Sequence, residues 1–391
     1  MTAAPAPLSP FEIATGMVFG ARPGTLPPPG PAAPLQALED AIRPALLRPP
    51  CVVSFSGGRD SSAVLAVATV QARREGLPLP IPATNVFPAV READETHWQE
   101  RLVRHLGLSD WIRIEHTVEL DLLGSYARRL LRRHGLLWPF NAHFHAPLIE
   151  VAAGGSLLTG VGGDELLGAA QRDRAAAVIA GHARPQTRDL LRLALALAPP
   201  VTRRAILARR GSVVLPWLRP EAQQRLTNVL ADWAARMPRR SLAARLTWVW
   251  RSRYLGVLTA ALECAAAGED VLLVHPLLSG DLWAAVGRVA QPVGFAGRTD
   301  GMRRLFGSVL PEEICARGSK ARFDAAFWTV PARAYAESGD GIGVPAEWVD
   351  WTALAAHWRG EHPLANSFTL LQASWLASVQ GVEQPVHTLL G

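Results

Sequence analysis

Apolar stripes and apolar runs alternate along the first half of the chain. Leu35, Leu38, Ile42 and Leu46 recur at three- and four-residue spacing, which predicts a helix over Leu35–Leu47 stopped by Pro49-Pro50. Cys51–Phe55 is a short run of β-formers, followed by a serine-glycine turn and a helical stripe over Ala63–Arg74. Ile81–Phe87 predicts a second strand, with a helix from about Ala93 to Leu106. Trp111–Glu115 predicts a third, with a helix across Leu122–His134, and Ser156–Leu158 a fourth, ending in glycines. The order βαβαβαβ predicts an α/β fold, a doubly wound parallel sheet with ligands at the carboxyl ends of its strands.

From about residue 185 the stripes are helical: Arg188–Leu197, Arg203–Arg209, Glu221–Ala235, Leu242–Ala267 and Gly280–Ala290. Val271–Leu278 is apolar and contains proline, and it reads as a core element. Three segments follow: a Pro-rich lead-in with the first helix over 1–50, an α/β domain over 51–185, and a helical subdomain over 186–391. No apolar stretch reaches the ~20 residues that a membrane-spanning helix needs.

Composition narrows the class. With 49% hydrophobic and 19% charged residues, the 391-residue chain is globular and not disordered. No basic residue precedes Arg22, which argues against a secretory signal. Cys51, Cys264 and Cys315 stand far apart, so neither a zinc ribbon nor a disulfide framework is supported, and a cytoplasmic setting is expected. The net charge of +6 is spread over arginines that interleave with Leu and Ala at Arg128–Arg133 and Arg203–Arg210. These are solvated helix faces, so nucleic acid is not the expected partner. Among 40 Lys and Arg residues, Lys320 is the only lysine, a position where a compact ammonium is wanted in place of a planar fork.

The strongest chemical signal is the turn after the first strand, Ser54-Phe55-Ser56-Gly57-Gly58-Arg59-Asp60-Ser61-Ser62. Paired glycines let backbone N–H groups approach a phosphate, and the helix that follows adds the positive end of its dipole. Ser56, Ser61 and Ser62 supply hydroxyls. Asp60 would repel phosphate unless a divalent cation lies between them, so the turn reads as a site for polyphosphate with Mg2+. The bland alternative is a glycine-rich turn with a serine N-cap. The turn resembles the PP-loop SGGxDS of ATP pyrophosphatases, which implies a PP-loop (HUP-like) fold and cleavage of ATP between its α and β phosphates.

Gly160-Val161-Gly162-Gly163-Asp164-Glu165-Leu166-Leu167-Gly168 resembles the GEGxDELFGG element of the asparagine synthetase family. A third stretch resembles that family's LR..F...LPEEI..R.K..F segment. It comprises Arg303–Phe306, Leu310–Ile314 and Arg317-Gly318-Ser319-Lys320-Ala321-Arg322-Phe323. Glu92–Leu106 is similar to the helix after the family's second strand. Glu263 through Leu278 is similar to its E.RvPFLD segment, with Ser279 where an aspartate is expected. The resemblance spans roughly residues 35–330. It implies an ATP-dependent carbon–nitrogen ligase that adenylates a carboxylate, releases pyrophosphate, and forms an amide as AMP leaves.

By the same resemblance Lys320, Asp60 and Asp164 are catalytic. ATP binding is expected at Ser54, Ser56, Gly57, Gly58, Asp60, Ser61, Ser62, Val86, Gly160 and Gly162, and Mg2+ at Asp60 and Asp164. Tyr254 and Glu263, on one predicted helix, are candidates for the base that deprotonates the attacking amine. His143 and His145 flank Phe144, an alternating pair that would suit zinc but has no further ligands nearby.

Two departures from the family bear on the substrate. Thr2, not cysteine, follows Met1, so ammonia made from glutamine within this chain is not expected. Val161 replaces the glutamate of GEGxDE and can neither take a proton nor hold an amine. The valine version is similar to that of the lasso peptide cyclases, in which a peptide's own amine attacks its adenylated side chain. The partners expected are a carboxylate and an amine, as small molecules or a precursor peptide, and a protein that delivers them. The alternatives are an asparagine synthetase fed ammonia from a separate source, a PP-loop tRNA-modifying enzyme, and a non-catalytic paralogue. The missing cysteine pair counts against the tRNA-modifying reading.

Overall fold

The computed structural model describes residues 7–28, 30–171, 174–179, 181, 183–210, 213–239, 241–290, 294–319 and 321–383. Five strands form its sheet: β1 (Cys51–Ser54), β2 (Ile81–Val86), β3 (Ile112–Glu115), β4 (Ser156–Leu158) and β5 (Leu272–Val274). All pair in parallel, in the order β3-β2-β1-β4-β5. The chain builds from β1 outward through β2 to β3, then returns to place β4 on the other side of β1. The order therefore reverses between β1 and β4, and a crevice opens at their carboxyl ends. Both predicted glycine turns leave the sheet there.

Helices cover both faces. Pro34–Leu46 and Arg59–Glu75 pack on one, in a core with Val53, Leu166, Trp283 and Phe306. Ala146–Val151 and the end of Arg253–Ala266 pack on the other, in a core with Val52, Ala83 and Leu157. A separate core gathers Trp217, Trp358 and Phe368 around Phe11 of the lead-in. Trp217 is fully buried and its indole N–H donates to the Ala14 carbonyl at 2.8 Å. The lead-in is thus part of the folded body, and Trp217→Ala would cost about 3–5 kcal/mol.

Two elements differ from the sequence expectation. β5 lies within the segment whose periodicity is helical; three residues are too few to show a period, and only pairing with β4 makes them a strand. The single stripe over Leu242–Ala267 is two helices, Leu242–Trp250 and Arg253–Ala266. The break is clamped by the lead-in. Arg22 N–H donates to the Arg251 carbonyl at 2.6 Å, and Arg253 N–H to the Gly20 carbonyl at 3.0 Å. Those bonds satisfy backbone groups that a continuous helix would have used itself. Among the described residues no helix is long and apolar enough to cross a membrane.

Candidate active site

The turn after β1 begins at Phe55, whose N–H donates to the Ala83 carbonyl at 2.8 Å and continues the sheet. Gly57 then takes φ 80°, a conformation that favours glycine. The helix Arg59–Glu75 starts from Gly58 with no side-chain cap, so its first N–H groups have no side chain across them. Ser56 is not the cap. Its hydroxyl accepts from Gly58 N–H at 3.3 Å and lies 3.2 Å from the Ser61 hydroxyl. The N-cap alternative therefore fails. The Ser62 hydroxyl is buried and lacks a hydrogen-bond partner among the described residues.

The second turn sits directly against the first. A Cβ at Gly160 would come within 2.8 Å of the Ser61 nitrogen, and one at Gly163 would overlap the Asp60 carboxylate. Gly162 takes φ 98° and starts the helix Gly163–Ala170, again without a side-chain cap. Glycine is needed at these positions because two backbones and a carboxylate share the space of one side chain.

Asp60 and Asp164 meet on one guanidinium. Arg298 Nη2 donates to Asp60 Oδ1 at 2.7 Å and Oδ2 at 2.5 Å, and its Nη1 donates to Asp164. Arg298 Nε is buried without a hydrogen-bond partner among the described residues. Burial raises the Asp60 carboxyl above its usual range; Arg298 draws it down and Asp164 pushes it up, leaving the net shift upward. Arg59 stands close by, its guanidinium disfavoured first by burial and then by the charges of Arg298 and Arg317. The guanidiniums of Arg59 and Arg298 beside two uncapped helix starts make a receptacle for a polyanion.

The loop is braced from behind. Buried Arg317 donates to the Gly57 carbonyl at 2.6 Å, pairs with buried Glu95, and stacks over Trp98 at 4.9 Å. Its Nε donates to the Ser319 carbonyl at 3.0 Å, and Arg322 N–H donates to the Glu92 carbonyl at 3.0 Å. Lys320 lies outside the described residues; its described neighbours on both sides are thus docked beside the first turn. Gln99 completes the brace, its amide donating to the Ser56 carbonyl at 3.2 Å.

A small cleft opens at the ends of β1 and β2, walled by Ser54, Ser56, Asn85, Phe144 and Phe323. Val86 ends β2 one residue past Asn85 and is not part of that wall. Tyr254 stands at the other side of the second turn, its hydroxyl hydrogen-bonded to Glu165. Its ionisation is strongly disfavoured, first by burial and then by Glu165 and Asp164. Glu263 is exposed, about two and a half turns along the same helix, and does not reach this group. His143 is buried and His145 half-buried, and loss of solvation pulls both down to about 4. His143 Nε2 lies 3.0 Å from the Leu120 carbonyl. Among the described residues no group of three or more His, Cys, Asp and Glu could hold a metal ion.

Sequence reasoning brought together Ser56, Gly57, Gly58, Asp60, Ser61, Gly160 and Asp164, and the structure has them at one place. It gave no role to Arg298, Arg317, Glu95 or Gln99. Arg317 was visible, since it stands in the stretch that carries Lys320; Arg298 follows a glycine outside any motif.

With this geometry in view, comparison with protein families is decisive: the model of the asparagine synthase family matches residues 35–367. The chain belongs to the asparagine synthase family. No curated protein matches it. Asparagine synthases are ATP-dependent ligases, which makes this chain an ATP-using enzyme of that class. The matched stretch contains both glycine turns, Arg298, the Lys320 segment and Tyr254.

The residues present also fit a divalent cation. Mg2+ is usually held by one or two carboxylates together with substrate phosphates. Asp60 and Asp164 already share one cationic group, so one ion can reach both.

Proposed function

We propose that the chain is an AMP-forming amide synthetase that adenylates a carboxylate and passes the acyl group to an amine. The observation that carries this reading is the meeting of Asp60 and Asp164, from turns about a hundred residues apart, on Arg298 beside the uncapped helix starts. The phosphates of ATP lie along Ser56–Ser62, with the nucleoside towards the carboxyl ends of β1 and β2. Mg2+ at Asp60 and Asp164 would neutralise charge on the departing pyrophosphate.

The substrate carboxylate oxygen attacks the α-phosphorus and the bond to the β-phosphate oxygen breaks. Arg59, Arg298 and Lys320 then oppose the charge that builds on pyrophosphate. The amine attacks the acyl carbonyl, its proton passes to Glu165 of the Tyr254–Glu165 pair, and AMP leaves with the electron pair of the acyl C–O bond of the mixed anhydride. These side chains chiefly hold and orient, as in phosphoryl transfer generally.

Within this class we favour amide closure inside one larger substrate, as in macrolactam formation of the lasso-peptide type. Half-buried Val161 offers nothing to hold free ammonia, and the space beside Tyr254 far exceeds what aspartate fills. The three cysteines are free and buried, which suits a reducing, cytoplasmic setting.

The test is pyrophosphate release from ATP and Mg2+, with pyrophosphate and phosphate assayed separately. It is run against aspartate plus ammonium and against peptides with a free amine and a side-chain carboxylate. Pyrophosphate with equimolar AMP, dependent on one substrate, is expected. Release of phosphate and ADP instead would overturn the reading.

A further inference from the structure

Behind Tyr254 lies a cavity of about 1070 Å3 that the adenylation chemistry does not use. Its walls come from the lead-in at Gly16–Ala21, the helices Pro200–Arg210 and Pro220–Arg236, and Trp138 and Trp248. Trp233 and Trp248 pack at 4.7 Å, and Trp138 meets the Tyr254 ring edge-on at 6.2 Å. Met17 and Leu230 add aliphatic wall. The charged residues of the lining, Arg204, Asp232 and Arg236, engage one another: Arg236 Nε donates to Asp232 at 3.1 Å, and Arg204 lies 4.0 Å from it.

We infer that this cavity seats a bulky apolar body of the substrate, with its reacting end at Tyr254 and Glu165. The inference rests on the proposed synthetase reading. Tyr254 is the joint: it lines the cavity and bonds Glu165, which adjoins Asp164 on Arg298. Pockets for drug-sized ligands hold about 300–1,000 Å3, so this one suits an occupant much larger than a free amino acid. Three indoles and a phenol left against water are unfavourable, and covering them with the CH2 groups of a ligand removes apolar surface from water on both partners. The mutually engaged rim charges leave no cation or anion committed to a charged ligand. The substrate class is therefore a carboxylate or amine carried on an aromatic or long acyl group, and a peptide is one such body.

The experiment uses the full chain with aspartate, N-acetylaspartate and N-decanoylaspartate as probes. Binding is read by quenching of tryptophan fluorescence, and adenylation by ATP–pyrophosphate exchange. N-decanoylaspartate is expected to bind at least about tenfold more tightly than N-acetylaspartate. Leu230→Trp, which fills the cavity, is expected to remove that preference, and Met17→Trp to do the same if Leu230→Trp fails to fold. Equal affinity for the short and long probes, or a preference untouched by both filled variants, overturns the inference. Exchange as efficient with free aspartate as with the decanoyl probe also overturns it, while leaving adenylation standing. Selective binding of the decanoyl probe, lost on filling and without exchange from any probe, supports the cavity and removes the adenylation reading.

Discussion

The two sides of Tyr254 are built on opposite principles. On one side, Asp60, Asp164, Arg59, Arg298 and Arg317 crowd together, and backbone turns from two strands set the geometry to within a side chain's width. On the other, tryptophans and aliphatic side chains enclose a large space together with the lead-in at Gly16–Ala21. The first suits a group that never varies, a polyphosphate whose charges must be met at fixed points. The second suits a body recognised by size and apolarity, which tolerates changes of shape. One enzyme can thus hold a conserved chemistry against a substrate particular to itself.

The contrast breaks hardest on the charged side. Asp60→Ala and Lys320→Met are each expected to abolish AMP formation, a loss of at least about 10³-fold, measured as pyrophosphate release. Retained activity in both would remove the assignment. Gly163→Ala comes next, because its Cβ overlaps the Asp60 carboxylate. It is expected to weaken Mg-ATP binding and turnover by about 10²-fold, read by calorimetry and by pyrophosphate release, with the fold retained in circular dichroism. An unchanged variant would mean that the two turns need not touch.

Tyr254→Phe tests the joint. It removes the hydroxyl from Glu165 without emptying the wall. ATP–pyrophosphate exchange should survive within a fewfold while amide formation falls by about 10²-fold, the scale of a reacting group left misplaced, because Glu165 loses the hydroxyl that positions it. If exchange falls as far as amide formation, Tyr254 belongs to the charged side alone.

How much of this was readable in the chain follows the same division. The charged side is local chemistry: glycines, serines and an acid within seven residues after a buried run, and again before Leu166. Four of the five strands and their parallel order could be read from such runs. The cavity could not, because Gly16–Ala21, Trp138, Trp233 and Tyr254 come together only in three dimensions. The break between Trp250 and Arg253 was hidden for the same reason, since its clamp is Gly20 and Arg22, more than two hundred residues earlier. Arg298 shows a limit within the charged side: an arginine outside any motif says nothing about two aspartates it reaches across the sheet's end. Glu263 stands nine residues after Tyr254 on the same helix, at about 100° per residue on its opposite face, so helical periodicity alone already argued against their sharing a site.

The smallest effect concerns the platform between the two sides. The helix that carries Tyr254 packs against the turn Ala142–His145, and His275 bonds the Thr159 hydroxyl at 2.7 Å just before the second glycine turn. Burial pulls His143, His145 and His275 from 6.5 down to about 4, with the neighbouring His145 adding to the effect on His275. A histidine held neutral in the fold takes up a proton more readily once unfolded. Its stabilising contribution is therefore whole above pH 6.5 and is lost as the pH falls from there towards 4. Each such group lowers stability by roughly 0.7 kcal/mol between pH 7 and 6. His145→Gln keeps a polar side chain that cannot titrate. Urea unfolding at the two pH values should show the variant losing about 0.7 kcal/mol less than the parent on acidification, whatever its stability at pH 7. An identical pH dependence in the two proteins would mean that His145 takes up its proton equally well in the folded chain, and that the platform under Tyr254 is open to water.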